Sequence, residues 1–379
     1  MANTLTGLMP TIYEALDTVS REMVGMIPAV RSDMSPERAA IDQSISFPVV
    51  AARTAIATAP ASTGPTTVDT SAPATTVTIS KSYGIPIHMT GEQDLGLGRT
   101  KAIFWKDAFA QAMRTLVNLI EVDLCLAGAN GASRAYGTAG TAPFGTAADL
   151  SDYAGVAKIL DDNGAPANDR QMVLNSAAKA NLLAKQANLF QGNSDLLQLG
   201  RTREMGGFQL GYSGGFATHT KGTGTGYLIN LTAGYAVGST ALVMDTGANT
   251  NVIGDIVTND KTGRDTNKYV LAATGTTTAW TLAKPGLRVA AVNNDPFTIG
   301  GSYTPNLAFD RGAIWLATRA PMVPEGGDAA VDATIIQDPV SGLSFEVREY
   351  RQYRQVNYEV AIAWGYAAVK TEHIAILLG

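Results

Sequence analysis

The sequence predicts an α+β fold, and three observations carry that expectation. One uninterrupted helical stretch runs from Thr100 to Ala127, alternating strand patterns occupy residues 76–89 and 343–366, and short turn-bounded strands crowd the interval from Tyr227 to Tyr303. Helical side chains repeat on one face every three to four residues and strand side chains every two, so the stretches announce different structures.

Leu5–Ile27 places Ile12, Leu16, Val19, Met23 and Met26 or Ile27 on one stripe, which predicts an amphipathic helix interrupted at Pro10. From Pro28 to Ser46 the period is lost. Ser32-Asp33 and Ser35-Pro36-Glu37 are turn signals there, the latter also a possible helix start, and the segment reads as an arm. Ser46–Val50 is a short strand, and Thr76–Met89 alternates Val77 and Ile79 against Thr78 and Ser80. Between them Arg53–Pro73 is built almost wholly from Ala, Thr, Ser, Pro and Gly, too little apolar surface to offset its own ordering entropy. It is either a flexible loop or a two-stranded excursion that orders on a neighbouring subunit.

Thr90–Arg99 reads as a glycine-rich loop carrying Glu92 and Asp94. Two carboxylates so close suggest acid–base or Mg²⁺ chemistry, but no convergent partner accompanies them. The helix that follows carries Trp105, Phe109, Ala112, Met113, Leu116, Ile120 and Leu124 on its apolar stripe. Its 28 residues span about 42 Å at ~1.5 Å per residue, a strut along which other elements can lie. Thr100 is the expected cap and Gly128 the expected stop.

Gly128–Asp149 reads as loop, Leu150–Leu160 as helix, Asn163–Pro166 as a turn, Gln171–Leu174 as a buried strand and Ser176–Gln186 as a helix capped by Ser176. Gly206–Leu210 and Phe216–His219 resume short strands. Gly222–Gly226, GTGTG, lacks the Gly-Lys-Ser/Thr ending of a phosphate loop and reads as a linker. The β module that follows has runs at Leu228-Ile229, Leu242–Met244, Ile256-Val257 and Tyr269–Leu271, spaced as in a small barrel or sandwich. A buried strand at Ala313–Thr318, alternating strands at Leu343–Tyr350 and Asn357–Tyr366 joined by Arg351–Arg354, and the apolar run Ile374–Leu378 packing back on the sheet complete the chain.

Composition narrows the function. A length of 379 residues suggests two to three domains at about 150 residues each. No apolar run is long enough to span a membrane, and Met1–Pro10 lacks a secretion pattern, so the expected place of the chain is the cytoplasm where it is made. Cys125 is the single cysteine, which excludes an intrachain disulfide and a thiolate metal cage; it reads as a small buried apolar residue. A net charge of −5 with no Lys/Arg cluster gives no electrostatic grip on nucleic acid. His88, His219 and His373 stand in separate contexts without paired spacing, so neither a catalytic site nor a cofactor or metal site is expected. Charged residues make up only 16%, and a surface so poor in charge expects to be covered by something.

The order of these parts resembles the major capsid (coat) protein of short-tailed bacteriophages. The residues that carry the resemblance are Tyr13-Glu14-Ala15-Leu16 and Gly25-Met26-Ile27-Pro28 near the start, TGEQ at 90–93, FAQAMRTLVN at 109–118, NGAP and DRQMVLNSAAKANLL within 163–183, and LAFDRGAIWLATRAP at 307–321. The resemblance implies the tailed-phage capsid fold of the Hong Kong phage type. It divides the chain into an N-terminal arm at 1–44 and an extended loop at 45–89. A peripheral domain at 90–149 and 341–379 holds the spine helix 100–127, and an axial domain covers 150–222 and 304–340. A small β-barrel is inserted at 223–303, and that insert is short for the family. The implied function is structural: self-assembly into hexamers and pentamers of an icosahedral head in the virion, enclosing double-stranded DNA. The implied partners are the chain itself, a scaffolding protein and a portal, with no cofactor. Subunit contacts are expected at Ile12, Leu16, Arg53, Glu92, Arg99 and Trp105. A β-rich binding or adhesion protein that self-associates is the competing class, opposed by the missing secretion pattern and by the strut; an enzyme comes third.

Overall fold

Three sheets are arranged around one long helix in the computed structural model, which describes residues 5–21, 25–48, 55, 74–146, 149–189, 204–338 and 342–379. The N-terminal helix α1 (Leu5–Arg21) runs unbroken through Pro10, and a single turn, α2 (Met26–Ala29), follows. The expected arm is then a strand, β1 (Arg31–Ala39), paired in parallel with β16 (Ile314–Pro321). Its register shifts between Met34 and Arg38, around the Ser35-Pro36-Glu37 signal that sequence reads as a turn. A proline has no N–H for a ladder, and it sits here on an edge strand at an irregularity, where that lack is tolerated.

β2 (Ser44–Pro48) and β3 (Ala74–Thr78) form a two-stranded antiparallel hairpin, and β4 (Lys81–Thr90) continues into the six-stranded sheet against β19 (Gln355–Ala368). Arg53–Pro73 lies outside the described residues apart from residue 55. The Thr90–Arg99 stretch is a short helix, α3 (Gly91–Gly96), not a loop. Thr90 and Gln93 close a capping box, with Gln93 N–H donating to Thr90 Oγ1 at 3.3 Å and Thr90 N–H to Gln93 Oε1 at 3.0 Å.

The strut α4 (Lys101–Asn130) is 30 residues long. Thr100 does not cap it by side chain; its hydroxyl donates to the Leu97 carbonyl at 2.8 Å. Gly128 lies inside the helix because a Cβ there would sit 2.4 Å from Leu307 Cδ1, so glycine lets the helix approach the strand beneath it. The helix stops at Gly131, whose N–H donates to Ala127 O at 2.9 Å.

β5 (Arg134–Tyr136), α5 (Ser151–Asp162), β6 (Arg170–Leu174) and α6 (Ser176–Leu189) follow. Asn175, not Ser176, caps α6, accepting from Ala178 N–H at 2.8 Å. β7 (Glu204–Met205) and β8 (Phe208–Tyr212) form a hairpin, while 216–219 contributes only an isolated bridge at His219. The module then supplies β9 (Tyr227–Ile229), β10 (Ala241–Asp245), β11 (Ile256–Asn259), β12 (Lys268–Val270), β13 (Ala279–Thr281) and β14 (Pro296–Ile299), before β15 (Pro305–Asp310) returns to the host. β16 through β20 are completed by β17 (Asp332–Gln337), β18 (Ser344–Gln352) and β20 (Ile374–Leu378).

Strand pairing cuts across the expected division. The six-stranded sheet joins β1, β16, β19, β18 and β17 with β4 alongside β19, so residues 314–337, expected with the axial part, belong with the C-terminal strands. The larger sheet runs β13-β10-β9-β14-β11-β12-β5-β20-β15-β6-β8-β7, so β20 pairs with the axial strands and the module's sheet is continuous with the host's through β12 and β5.

Packing follows these layers. The α4 stripe of Trp105, Phe109, Met113, Leu116, Ile120 and Leu124 shares one core with Val347, Tyr358, Val360 and Trp364 of the six-stranded sheet and with Leu307, Ile314 and Ile374. Tyr358 meets Trp105 edge-on at 5.0 Å between ring centroids, a preferred aromatic geometry. A second core sets Tyr153, Val156, Leu160 and Leu182 of α5 and α6 on Met172, Leu174 and Leu377. The module has its own, centred on Trp280, Tyr227 and Phe297.

Candidate assembly surface

Two acidic residues on the strut fix the segments packed against it. Glu121 and Asp123 are two positions apart, so they leave α4 about 200° apart at 3.6 residues per turn. Both are buried. Glu121 Oε1 accepts the Met26 N–H at 2.8 Å and Oε2 the Ile27 N–H at 3.1 Å, so this carboxylate holds the first turn after α1. Burial pushes the Glu121 carboxyl above its ordinary range, and the bonds from Met26, Ser213, Ile27 and Gly25 pull it part of the way back. Gly25 is required there because a Cβ would lie 2.6 Å from the Tyr212 backbone nitrogen.

On the opposite face, Asp123 Oδ1 accepts the Lys81 ammonium at 2.7 Å and Oδ2 the Trp364 indole N–H at 2.9 Å. Its hydrogen bond to Asp123 holds Lys81 above the usual lysine range. Lys81 begins β4, directly after the hairpin, so this acid fixes the hairpin base to α4 and β19 together. The hairpin is seated further by Phe47 on Trp315, 4.1 Å between centroids, and by Gly365, where a Cβ would meet Thr78 O at 2.1 Å. The arm strand is tied by Arg319 to Asp33 at 2.6 Å and by Arg38 to the buried Glu346 at 2.6 Å.

Apolar groups come to the surface at two places, one an exposed stripe and the other a cleft over the core. Leu119, Val122 and Leu126 are spaced by three and four along α4 and form a second, exposed stripe. At the other end of the helix a cleft of about 600 Å³ is lined by Met89, Trp105, Val356 and Tyr358, with Leu95 at 82% and Tyr353 at 85% exposure on the elements around it.

Of the expected contact residues, Ile12, Leu16 and Trp105 have their side chains buried in this chain's own core, where the α1 stripe packs on α4. The Lys106 ammonium to Glu14 carboxylate bond at 2.7 Å adds to that seam. Glu92 and Arg99 are exposed, Glu92 lining the cleft, and Arg53 lies outside the described residues. Sequence reasoning missed Glu121 and Asp123. The available signal was two acids inside an otherwise apolar helical turn, Ile120 to Leu124.

The residues that could suggest chemistry stand in separate places, most of them with their own partners. Asp94 pairs with Lys101 at 2.5 Å, and Glu92 lines the same cleft. His219 Nε2 meets Asp255 Oδ1 at 2.9 Å, but that carboxylate also accepts the Gly222 and Val252 N–H groups and organises the GTGTG turn. His88 meets Gln355 at 2.5 Å, and His373 is buried, which lowers its pKa. Cys125 is buried and its thiol is pushed up to about 12. Among the described residues no group of three His, Cys, Asp or Glu could hold a metal, and no helix is long and apolar enough to cross a membrane.

No family model matches the chain, and no curated protein matches it. Among solved structures, the chain is similar to the capsid of cyanophage P-SCSP1u at 10% identity over 92% of this chain and 86% of that one, with a TM-score of 0.48. The capsid of Ralstonia phage GP4 gives 8% identity over 93% and 87%, TM-score 0.47. A virus-like particle from Pyrococcus furiosus gives 10% identity over 97% and 98%, TM-score 0.45.

Proposed function

We propose that this chain is the structural shell subunit of a tailed phage, assembling with copies of itself into the hexamers and pentamers of an icosahedral head around double-stranded DNA. The observation that carries the reading is the strut: one helix holds the arm turn by Glu121 and the hairpin base by Asp123 on opposite faces, while leaving Leu119, Val122 and Leu126 outward. A subunit that must present two reaching segments at fixed positions needs such a rigid beam, and many weak contacts between copies add through multivalency. The sequence resemblance and the low content of charged residues support the same reading.

In this reading the chain acts without chemistry of its own. Exposed Glu92 and Arg99, together with Arg53, are contact residues between copies. Scaffolding protein and portal are further partners, and assembly takes place in the host cytoplasm before the subunit resides in the virion. Residues 1–44 act as arm, 45–89 as extended loop and 223–303 as inserted domain, around a peripheral and an axial part. Negative-stain microscopy of concentrated full-length protein, alone and with a co-expressed scaffold, tests this. Shells, sheets or tubes are expected. A monodisperse small oligomer under both conditions overturns the proposal.

A further inference from the structure

Between α5, β5, β12 and the loop after β5 the chain leaves a cleft of about 650 Å³. Its lining cations are Arg134, Lys158 and Lys268, and its lining carboxylate is Asp152. The nearby acids are already engaged. Asp152 Oδ2 accepts the Phe144 N–H at 2.6 Å. Asp162 Oδ2 serves Lys158 at 2.9 Å and Arg134 at 3.3 Å at once. Asp265 accepts from Asn267 N–H at 2.8 Å and the Tyr269 hydroxyl at 2.6 Å. A fourth cation, Arg288, stands behind Arg134 and donates to the Asp162 carbonyl at 3.2 Å.

Two of the four cations, Arg134 and Lys158, share Asp162, while Arg288 and Lys268 donate to backbone carbonyls, and of these two Lys268 is the one that lines the cleft. Its ammonium donates to the Gly137 carbonyl, and among the described residues no carboxylate stands within ion-pair distance of it. An ammonium carries three donors, so capacity remains. Burial alone acts on this group and lowers its pKa, with no opposite charge to offset the cost. Thr138, Thr141 and Thr146 bring hydroxyl-bearing side chains to the same cleft.

We propose that this cleft is an oxyanion site that takes one phosphate group, with Lys268 as the principal charge partner and Lys158 at the mouth. A tetrahedral oxyanion accepts several donors at once, and charge-assisted bonds of this kind are the strong ones. The group can arrive as free phosphate or as part of a nucleic-acid backbone, and the recognition chemistry is the same.

Calorimetric titration of the full chain with inorganic phosphate, at constant ionic strength, is the test. Saturable one-site binding is expected, weakened about tenfold or more by Lys268→Met and less by Lys158→Met, and unchanged by Lys221→Met outside the cleft. Lys268→Met removes a charge that burial opposes, so it should fold; should it not, a phosphate-dependent rise in the wild-type melting temperature that shrinks in Lys158→Met carries the decision. Displacement of bound phosphate by a short DNA duplex assigns the source to nucleic acid, and failure to displace assigns it to the free ion. No saturable binding by the wild type, equal binding by Lys268→Met, or equal loss in Lys221→Met overturns the site.

Discussion

Replacing Glu121 with alanine removes the acceptor for two buried backbone donors, Met26 N–H at 2.8 Å and Ile27 N–H at 3.1 Å. Leaving a buried donor unmade costs about 1–3 kcal/mol each, so the gross loss is about 2–6 kcal/mol. Part of this is returned, because the variant no longer buries a carboxyl whose pKa burial has raised. The expected net loss is about 2–4 kcal/mol, large against a marginal total. The pH dependence has a definite sign. The unfolded carboxyl titrates near ~4.3, and the folded one above that, so folded protein binds the proton more tightly. Stability contributed by this group is full below the unfolded value and is lost as pH rises through the folded value. The penalty of Glu121→Ala relative to wild type should accordingly be largest at acidic pH and shrink toward neutrality. Urea unfolding followed by tryptophan fluorescence at several pH values measures it, and hydrogen exchange at Met26 and Ile27 localises it. A penalty under about 1 kcal/mol at every pH, or one that grows with pH, refutes the reasoning.

The remaining expectations are more local. Leu116→Asp places a charge at a fully buried stripe position without a partner and should cost several kcal/mol, so soluble native protein should be lost; a wild-type urea midpoint would show that the stripe is not the core. Gly365→Ala puts a methyl 2.1 Å from the Thr78 carbonyl, a backbone atom that cannot swing aside, and should cost about 1–3 kcal/mol with faster exchange in β3; unchanged exchange there would contradict the tight seat of the hairpin. The fragment 223–303, which keeps the Trp280, Tyr227 and Phe297 core intact, should give dispersed amide resonances and a cooperative melt; a disordered fragment would make these strands loops of the host.

What was legible in the sequence is what local periodicity can carry. The strut shows itself because buried residues recur every three to four positions without Gly or Pro, and the module's strands show themselves through their turn residues. The strut's end was misplaced because Gly128 answers a contact with Leu307, far away in sequence, and not the need for a left-handed stop. The arm strand β1 was unreadable for a related reason. It is an edge strand with a single buried residue whose partner, β16, lies far away in sequence, so RSDMSPERA carries no alternation of its own.

The same reasoning separates the two halves of the candidate surface. An exposed apolar stripe such as Leu119, Val122 and Leu126 is visible once the buried stripe is subtracted from the helix, whereas Glu121 and Asp123 look in sequence like ordinary solvated charges. Burying two acids on one helix is costly unless each finds its donors, and those donors come from positions 26, 27, 81 and 364, which only the tertiary fold brings together. Apolar replacements of equal volume could pack the helix at least as well, but they would accept any sliding of arm or hairpin along it. A carboxylate with two fixed donors does not. The acids therefore set where the arm turn and the hairpin base sit along the strut.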